Sequence, residues 1–189
     1  MSVEFVFSAA SPAQFPRDRL PEVAFVGRSN VGKSSLLNTL VRYGPKGSGP
    51  IGRRDLAFVS STPGRTQTVN FYRVQGRFYF VDLPGYGFAK APRAVVNEWK
   101  ALAEGYLVER EPLRLVVVIV DSRHEPKALD VQMRDWLEAA GTPYLVVASK
   151  VDKLKKTRLA ESLRAIEETF HPPLAFSAVT GEGASALWE

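Results

Sequence analysis

Apolar residues along the chain fall into two rhythms that alternate. Val23-Ala24-Phe25-Val26 is a short continuous apolar run, read as a buried strand, and Leu36, Leu37, Leu40 and Val41 then recur at helical spacing. Val69 to Val74 and Arg77 to Val81 read as two strands, joined through Gln75-Gly76 as a hairpin. Val95, Trp99, Leu102 and Tyr106 form a helix stripe, and Leu115 to Val120 is an apolar run typical of a strand covered on both faces. Leu129, Met133, Trp136, Leu137 and Ala140 predict a helix stopped by Gly141 and Pro143, followed by a strand at Tyr144 to Ala148. Leu159, Leu163, Ile166 and Phe170 make a third stripe, stopped by Pro172 and Pro173. Leu174 to Ser177 is a last short strand, and Ala184 to Trp188 begins a final helix that the chain cuts short. Residues 1–20 form a leader with one β-like piece, Val3 to Phe7, which either adds an edge strand or lies across the domain.

Strands alternating with helices predict a doubly wound α/β fold. The expected sheet is mostly parallel and six-stranded, with one antiparallel strand and helices on both faces. Residues 21–189 would form one domain, with the leader of residues 1–20 packed on it. Ligands of such sheets lie beyond the carboxyl ends of the strands. One stretch breaks the rhythm. Gly44 to Arg65 holds five Gly, three Pro and four basic residues against one acid. Long patternless loops inside compact domains are usually functional or disordered.

Composition narrows the class. At 189 residues the chain can bury a full core, and 45% hydrophobic with 24% charged residues is an ordinary globular balance. No apolar run approaches the ~20 residues of a membrane span. Pro12, Pro16, Arg17, Asp18 and Arg19 interrupt the start, so no signal-peptide core is present. The absence of cysteine excludes disulfides and thiolate metal sites and fits a cytoplasmic protein. His124 and His171 are the only histidines, which argues against a multi-histidine centre. The net charge of +5 suits an anionic partner such as RNA, an anionic surface, or solubility alone.

The chemistry concentrates at strand ends. Gly27-Arg28-Ser29-Asn30-Val31-Gly32-Lys33-Ser34 fits G-x-x-x-x-G-K-[ST], between a predicted strand and a predicted helix. Backbone N–H groups around such a loop supply partial positive charge to phosphates without bulk, and the helix dipole adds to it. Lys33 is placed to reach the outer phosphates and Ser34 to offer its hydroxyl to Mg²⁺. Asp82-Leu83-Pro84-Gly85 is D-x-x-G at a strand end. There Asp82 can hold Mg²⁺ through water and the Gly85 amide can sense a γ-phosphate. Ser149-Lys150-Val151-Asp152 follows the fifth strand. A carboxylate at Asp152 can accept both N–H groups on the Watson–Crick edge of guanine, with the Lys150 stem along the base plane. Ser177-Ala178 follows the last strand, where a backbone N–H can meet the guanine O6. Four motifs in this order point to a GTP/GDP site.

The same residues carry a family resemblance. Pro21 to Leu36, Thr62-Pro63-Gly64-Arg65-Thr66-Gln67-Thr68, Asp82 to Ala89, and Asp121-Ser122-Arg123-His124 resemble the EngB (YihA/YsxC) family of bacterial ribosome-biogenesis GTP-binding proteins, from about Phe5 to Trp188. The resemblance implies GTP and GDP binding with Mg²⁺, slow GTP hydrolysis, a role in assembling the large ribosomal subunit, and a link to cell division and septation. The partners would be that subunit or its precursors, as rRNA and ribosomal proteins, met by a monomer. It also extends the nucleotide contacts to Arg28, Ser29, Asn30, Val31, Ser35, Gly64 and Thr66. Thr66, with Thr68 as rival, would coordinate Mg²⁺ and the γ-phosphate beside Ser34 and Asp82, and Lys33, Thr66 and Asn30 would serve hydrolysis. Asn30 either helps hold a K⁺ ion beside the phosphates or only caps the loop.

Two residues depart from common GTPase patterns. Ser149 stands where Asn or Thr usually opens the base motif, and its hydroxyl reaches less far. Tyr86 stands where Ras-type enzymes carry the glutamine that orients water, so intrinsic hydrolysis should be slow. Asp121, Arg123, His124 and Asp130 suggest a helix cap and an ion pair. Lys153, Lys155, Lys156 and Arg158 read as a solvated basic face, whereas Arg53, Arg54 and Arg65 would put a basic loop under nucleotide control. Two other readings compete: a P-loop kinase acting on a small molecule, and a module that binds GTP with negligible hydrolysis.

Overall fold

The structure is a computed structural model that describes residues 3–45, 68–87, 101–103 and 105–189. Its centre is a seven-stranded sheet. The strands are β1 (Val3–Ala9), β2 (Glu22–Gly27), β3 (Val69–Val74), β4 (Phe78–Asp82), β5 (Leu113–Asp121), β6 (Tyr144–Ser149) and β7 (Leu174–Ala175), in the spatial order β1-β3-β4-β2-β5-β6-β7. β3 runs antiparallel to both its neighbours, and every other pairing is parallel. The strand beyond the expected six is β1. Val3–Ala9 bonds to β3 as an edge strand rather than lying across the domain.

The helices follow from the stripes. They are α1 (Lys33–Tyr43), α2 (residues 101–103 and 105–109), α3 (Ala128–Ala139) and α4 (Lys156–Thr169). Leu102 and Tyr106 of the expected stripe are buried on α2, while Val95 and Trp99 lie outside the described residues. The last strand is shorter than its apolar run, and the expected final helix is a single 3₁₀ turn at Ala186–Trp188.

Alternate residues of each central strand feed two cores. Ala24, Val26, Val116, Val118 and Val120 meet Tyr106, Met133, Leu137 and Ile166 on one face. Phe25, Val117, Ile119 and Val147 meet Leu36, Leu37 and Leu40 of α1 on the other. Burial on both faces is why these strands read as unbroken apolar runs. Trp188 closes the second face, its indole N–H donating to the Leu40 carbonyl at 3.2 Å.

At the amino ends of the strands, away from the predicted site, a buried carboxylate ties the leader down. Glu22 receives the Arg110 guanidinium and, at 2.6 Å, the Tyr106 hydroxyl, and Arg110 also donates to the Pro16 carbonyl at 2.8 Å. A buried charge needs this degree of pairing to be tolerated. The carboxyl ends of β2, β4, β5 and β6 are brought level by register. Asp82 lies beside Phe25, Gly27 beside Ile119, and Asp121 beside Ser149.

Candidate functional site

The phosphate loop leaves β2 at Gly27 and enters α1 at Lys33. Gly27 is where the loop must pass tightly: a β-carbon there would sit 2.8 Å from both the Ile119 carbonyl oxygen and Val31 Cγ2. Gly32 has φ 102°, a left-handed backbone that glycine adopts without cost, and it opens α1 without a capping side chain. The first-turn N–H groups of α1 therefore face the loop without a side-chain cap, which suits an anion. Asn30 also has a left-handed backbone, φ 66°, which asparagine tolerates better than most residues.

Lys33 projects from the first turn of α1 and forms an ion pair with Asp82 at the end of β4. The two motifs identified at strand ends thus meet at their charged centres. Ser34 follows Lys33 in the same turn. Ser34 and Asp82 together present a hydroxyl and a carboxylate, a hard oxygen set that fits Mg²⁺. Among the described residues no group of three or more His, Cys, Asp or Glu side chains could hold a metal alone. A Mg²⁺ ion here would take its remaining ligands from phosphate and water, as that ion usually does. Gly64 and Thr66 lie outside the described residues, as do Arg53, Arg54 and Arg65. Thr68, the rival metal ligand, donates its hydroxyl to Asn70 at 3.2 Å.

The segment after Asp82 lies against the phosphate loop. Tyr86 N–H donates to the Gly27 carbonyl at 3.1 Å, and Ser29 N–H donates to the Tyr86 carbonyl at 2.9 Å. Gly85 fits because a β-carbon there would come within 3.2 Å of the Ser29 nitrogen. The Tyr86 side chain turns into the core, 3% exposed, and its hydroxyl donates to Asp130 Oδ1 at 2.9 Å. Burial, then the Asp130 charge and hydrogen bond, push the phenol well above its ordinary pKa. Asp130 Oδ2 in turn accepts the Lys127 N–H at 2.9 Å and caps α3. Sequence reasoning anticipated a helix cap and an ion pair among Asp121, Arg123, His124 and Asp130 without saying which residue caps, and did not anticipate the direction of Tyr86, which no local pattern records. Arg28 packs beside this segment, with Nε buried and without a hydrogen-bond partner among the described residues.

The base corner is built from β6 and the turn after β7. Ser149 is buried and donates its hydroxyl to the Val31 carbonyl at 2.6 Å, with the Val120 carbonyl at 3.1 Å. Its short side chain therefore does span to the phosphate loop. Lys150 has a left-handed backbone, φ 62°, and its ammonium donates to the Asn30 carbonyl at 2.6 Å. Asp152 Oδ1 accepts the Ser177 hydroxyl at 2.7 Å. That hydrogen bond, outweighing desolvation and helped by Lys153, lowers the Asp152 pKa and keeps it an ionised acceptor at neutral pH. Ser177 Oγ accepts the Val179 and Thr180 N–H groups at 3.2 Å, which fixes the turn that carries Ala178. Ser35 is exposed in the first turn of α1.

Comparison with known proteins agrees with this geometry. Residues 22–150 match the family model described as 50S ribosome-binding GTPase. A probable GTP-binding protein EngB from Solibacter usitatus is 49% identical over 189 residues, covering 100% of this chain and 94% of its own. One from Pelotomaculum thermopropionicum is 47% identical over 193 residues, covering 100% and 92%. Among solved structures, a probable GTP-binding protein engB superposes with a TM-score of 0.68 at 24% identity, over 88% of this chain and 94% of that one. Era in complex with MgGDPNP and part of 16S ribosomal RNA gives 0.64 at 20%, over 88% and 54%. The structural likeness establishes the fold. The identity along the whole length goes further: the chain is a GTPase that belongs to the 50S ribosome-binding GTPase family and, within it, to the EngB group.

Proposed function

We propose that the chain is a cytoplasmic guanine-nucleotide switch that hydrolyses GTP slowly and acts, as a monomer, in assembly of the large ribosomal subunit. The observation that carries the reading is the junction of Asp152 with Ser177 at 2.7 Å, on the same sheet end as the Lys33–Asp82 pair. It supports a site that reads guanine at one corner and phosphate at the other. Mg²⁺ would be held by Ser34 and Asp82 and, from outside the described residues, by Thr66. When bound it supplies positive charge to the phosphates. Lys33 shares that work from the first turn of α1. Among the described residues no helix is long and apolar enough to cross a membrane.

Slow hydrolysis follows from Tyr86. Its phenol is committed to Asp130 inside the core, so water activation falls to another group. A monovalent cation held beside Asn30 would help in a different way, by neutralising the charge that develops between the phosphates in the transition state. K⁺ is therefore expected to accelerate GTP hydrolysis severalfold over Na⁺ at matched ionic strength, and Asn30→Ala to flatten the difference. Equal rates of phosphate release in the two salts would remove the cation from the scheme.

The ribosomal part of the proposal is supported by the family description and by the excess of base. Lys153, Lys155, Lys156 and Arg158 are exposed beside the base corner. Sedimentation with purified ribosomal subunits is the test. Co-sedimentation with the large subunit is expected with a non-hydrolysable GTP analogue and not with GDP. Equal partition in both nucleotide states, or preference for the small subunit, would overturn the assembly reading.

A further inference from the structure

Asp121 ends β5 beside Ser149, and its side chain is 12% exposed. Its carboxylate is almost fully occupied. Arg123 donates Nε to Oδ1 at 2.9 Å, Nη2 to Oδ2 at 2.8 Å, and its backbone N–H to Oδ1 at 3.1 Å. The fourth donor comes from a different strand end: Lys150 Nζ meets Oδ2 at 2.8 Å. The same ammonium donates to the Asn30 carbonyl of the phosphate loop at 2.6 Å. Between its left-handed backbone and this anchored head, the lysine stem runs past Gly32, with Cε 3.7 Å from where a β-carbon on Gly32 would stand.

We infer that Asp121 is a positioning residue for guanine-nucleotide binding, holding the Lys150 ammonium on the Asn30 carbonyl so that the lysine stem is fixed beside the base. The inference rests on the guanine-site reading above. A lysine side chain on its own has about 2 kcal/mol of rotamer entropy to lose. A nucleotide that found the stem mobile would have to bear that loss on binding. The Arg123 fork fixes the carboxylate, the carboxylate fixes the ammonium, and the ammonium fixes the stem. Burial alone would raise the Asp121 pKa, yet the Arg123 and Lys150 hydrogen bonds outweigh it and hold the carboxyl well below the usual range. A pairing with Arg123 alone would be a surface ion pair of little consequence, since Arg123 is 43% exposed. The contact with Lys150 is what carries Asp121 to the phosphate loop.

The test is a double-mutant cycle on GDP affinity. Asp121→Asn removes the charge at constant shape, and Lys150→Met keeps the stem but removes the ammonium. Each is expected to weaken GDP about tenfold, chiefly by faster release, as befits loss of one charged hydrogen bond. The double variant is expected to match either single variant, because both break one linkage. A hundredfold, additive loss would mean that Asp121 acts independently of Lys150, and an unchanged Asp121→Asn would mean that it does not act at all; either overturns the inference. If Asp121→Asn does not fold, Asp121→Glu, which keeps the charge but misplaces it, takes its position in the cycle. Arg123→Ala should weaken GDP less than Asp121→Asn; an equal effect would transfer the role to the fork. Failure of the wild-type chain to bind GDP would instead strike the guanine-site reading beneath it.

Discussion

Asp152→Asn is expected to lower GTP affinity by about 10⁴-fold while opening the site to xanthosine triphosphate. A pocket built to satisfy two N–H donors rejects a ligand that cannot use it by roughly that factor. The neighbouring serine sharpens the effect. Ser177 donates to Asp152 Oδ1 at 2.7 Å, and exposed Lys153 approaches Oδ2 at 3.3 Å, so the base would be met by the remaining lone pairs of the carboxylate. An amide has a single acceptor oxygen, and Ser177 claims it. The NH₂ group must then point where guanine presents its own N–H groups, and donor meets donor. Xanthine carries a carbonyl in place of the exocyclic amine and accepts that NH₂. Competition binding with GTP, xanthosine triphosphate and ATP measures all three. A variant that keeps its preference for GTP, or a wild-type chain that binds ATP equally well, would reject the base corner and revive the kinase reading.

Lys33→Ala is expected to cost about 10²-fold or more in affinity for GTP and GDP, with the fold retained. The lysine supplies the full charge that the loop aims at the phosphates, and a hydrogen bond to a charged group is worth about 1.5–3 kcal/mol. Its partner makes the loss larger. Without the ammonium, the Asp82 carboxylate is left beside the phosphates with no counter-charge from Lys33. The Lys33 side chain is 12% exposed and packs in neither apolar core, so circular dichroism should show the fold retained, with a lowered melting temperature from the unpaired Asp82. Unaltered nucleotide affinity in a folded variant would reject the phosphate-loop assignment.

Periodicity carried much of the fold because it encodes which face a residue takes. Val116 to Val120 alternate between two cores, so the run is apolar throughout and a central strand is legible. The charged centres were legible for a different reason: Lys33, Asp82 and Asp152 occur in contiguous motifs, each at a strand end. What periodicity does not encode is the partner. Glu22 lies 84 residues from Tyr106 and 88 from Arg110, and nothing local to any of them announces that buried cluster. Val3–Ala9 could not be placed because its neighbour, β3, begins only at Val69. Tyr86 was legible as a missing glutamine, but its bond to Asp130 depends on where α3 packs. The reach of Ser149 depends likewise on how close β6 brings it to Val31, a distance that strand register sets and composition does not.

The bond between Asp152 and Ser177 has a consequence for the chain as it is made. A polypeptide emerges amino end first, at about 5–20 residues per second. Ser177 lies 144 residues after Lys33 (177 − 33), so it follows the phosphate loop out by roughly 7–30 s. Among the described residues β2, the strand that carries the loop, pairs with β4 and β5, and the loop itself is tied to the end of β6 by the Ser149 hydroxyl and the Lys150 ammonium. For that interval the growing chain contains Lys33 but lacks the Ser177 hydroxyl that holds the Asp152 carboxylate. On the guanine-site reading, the base corner is therefore completed only after the stretch that carries Ser177 has been made.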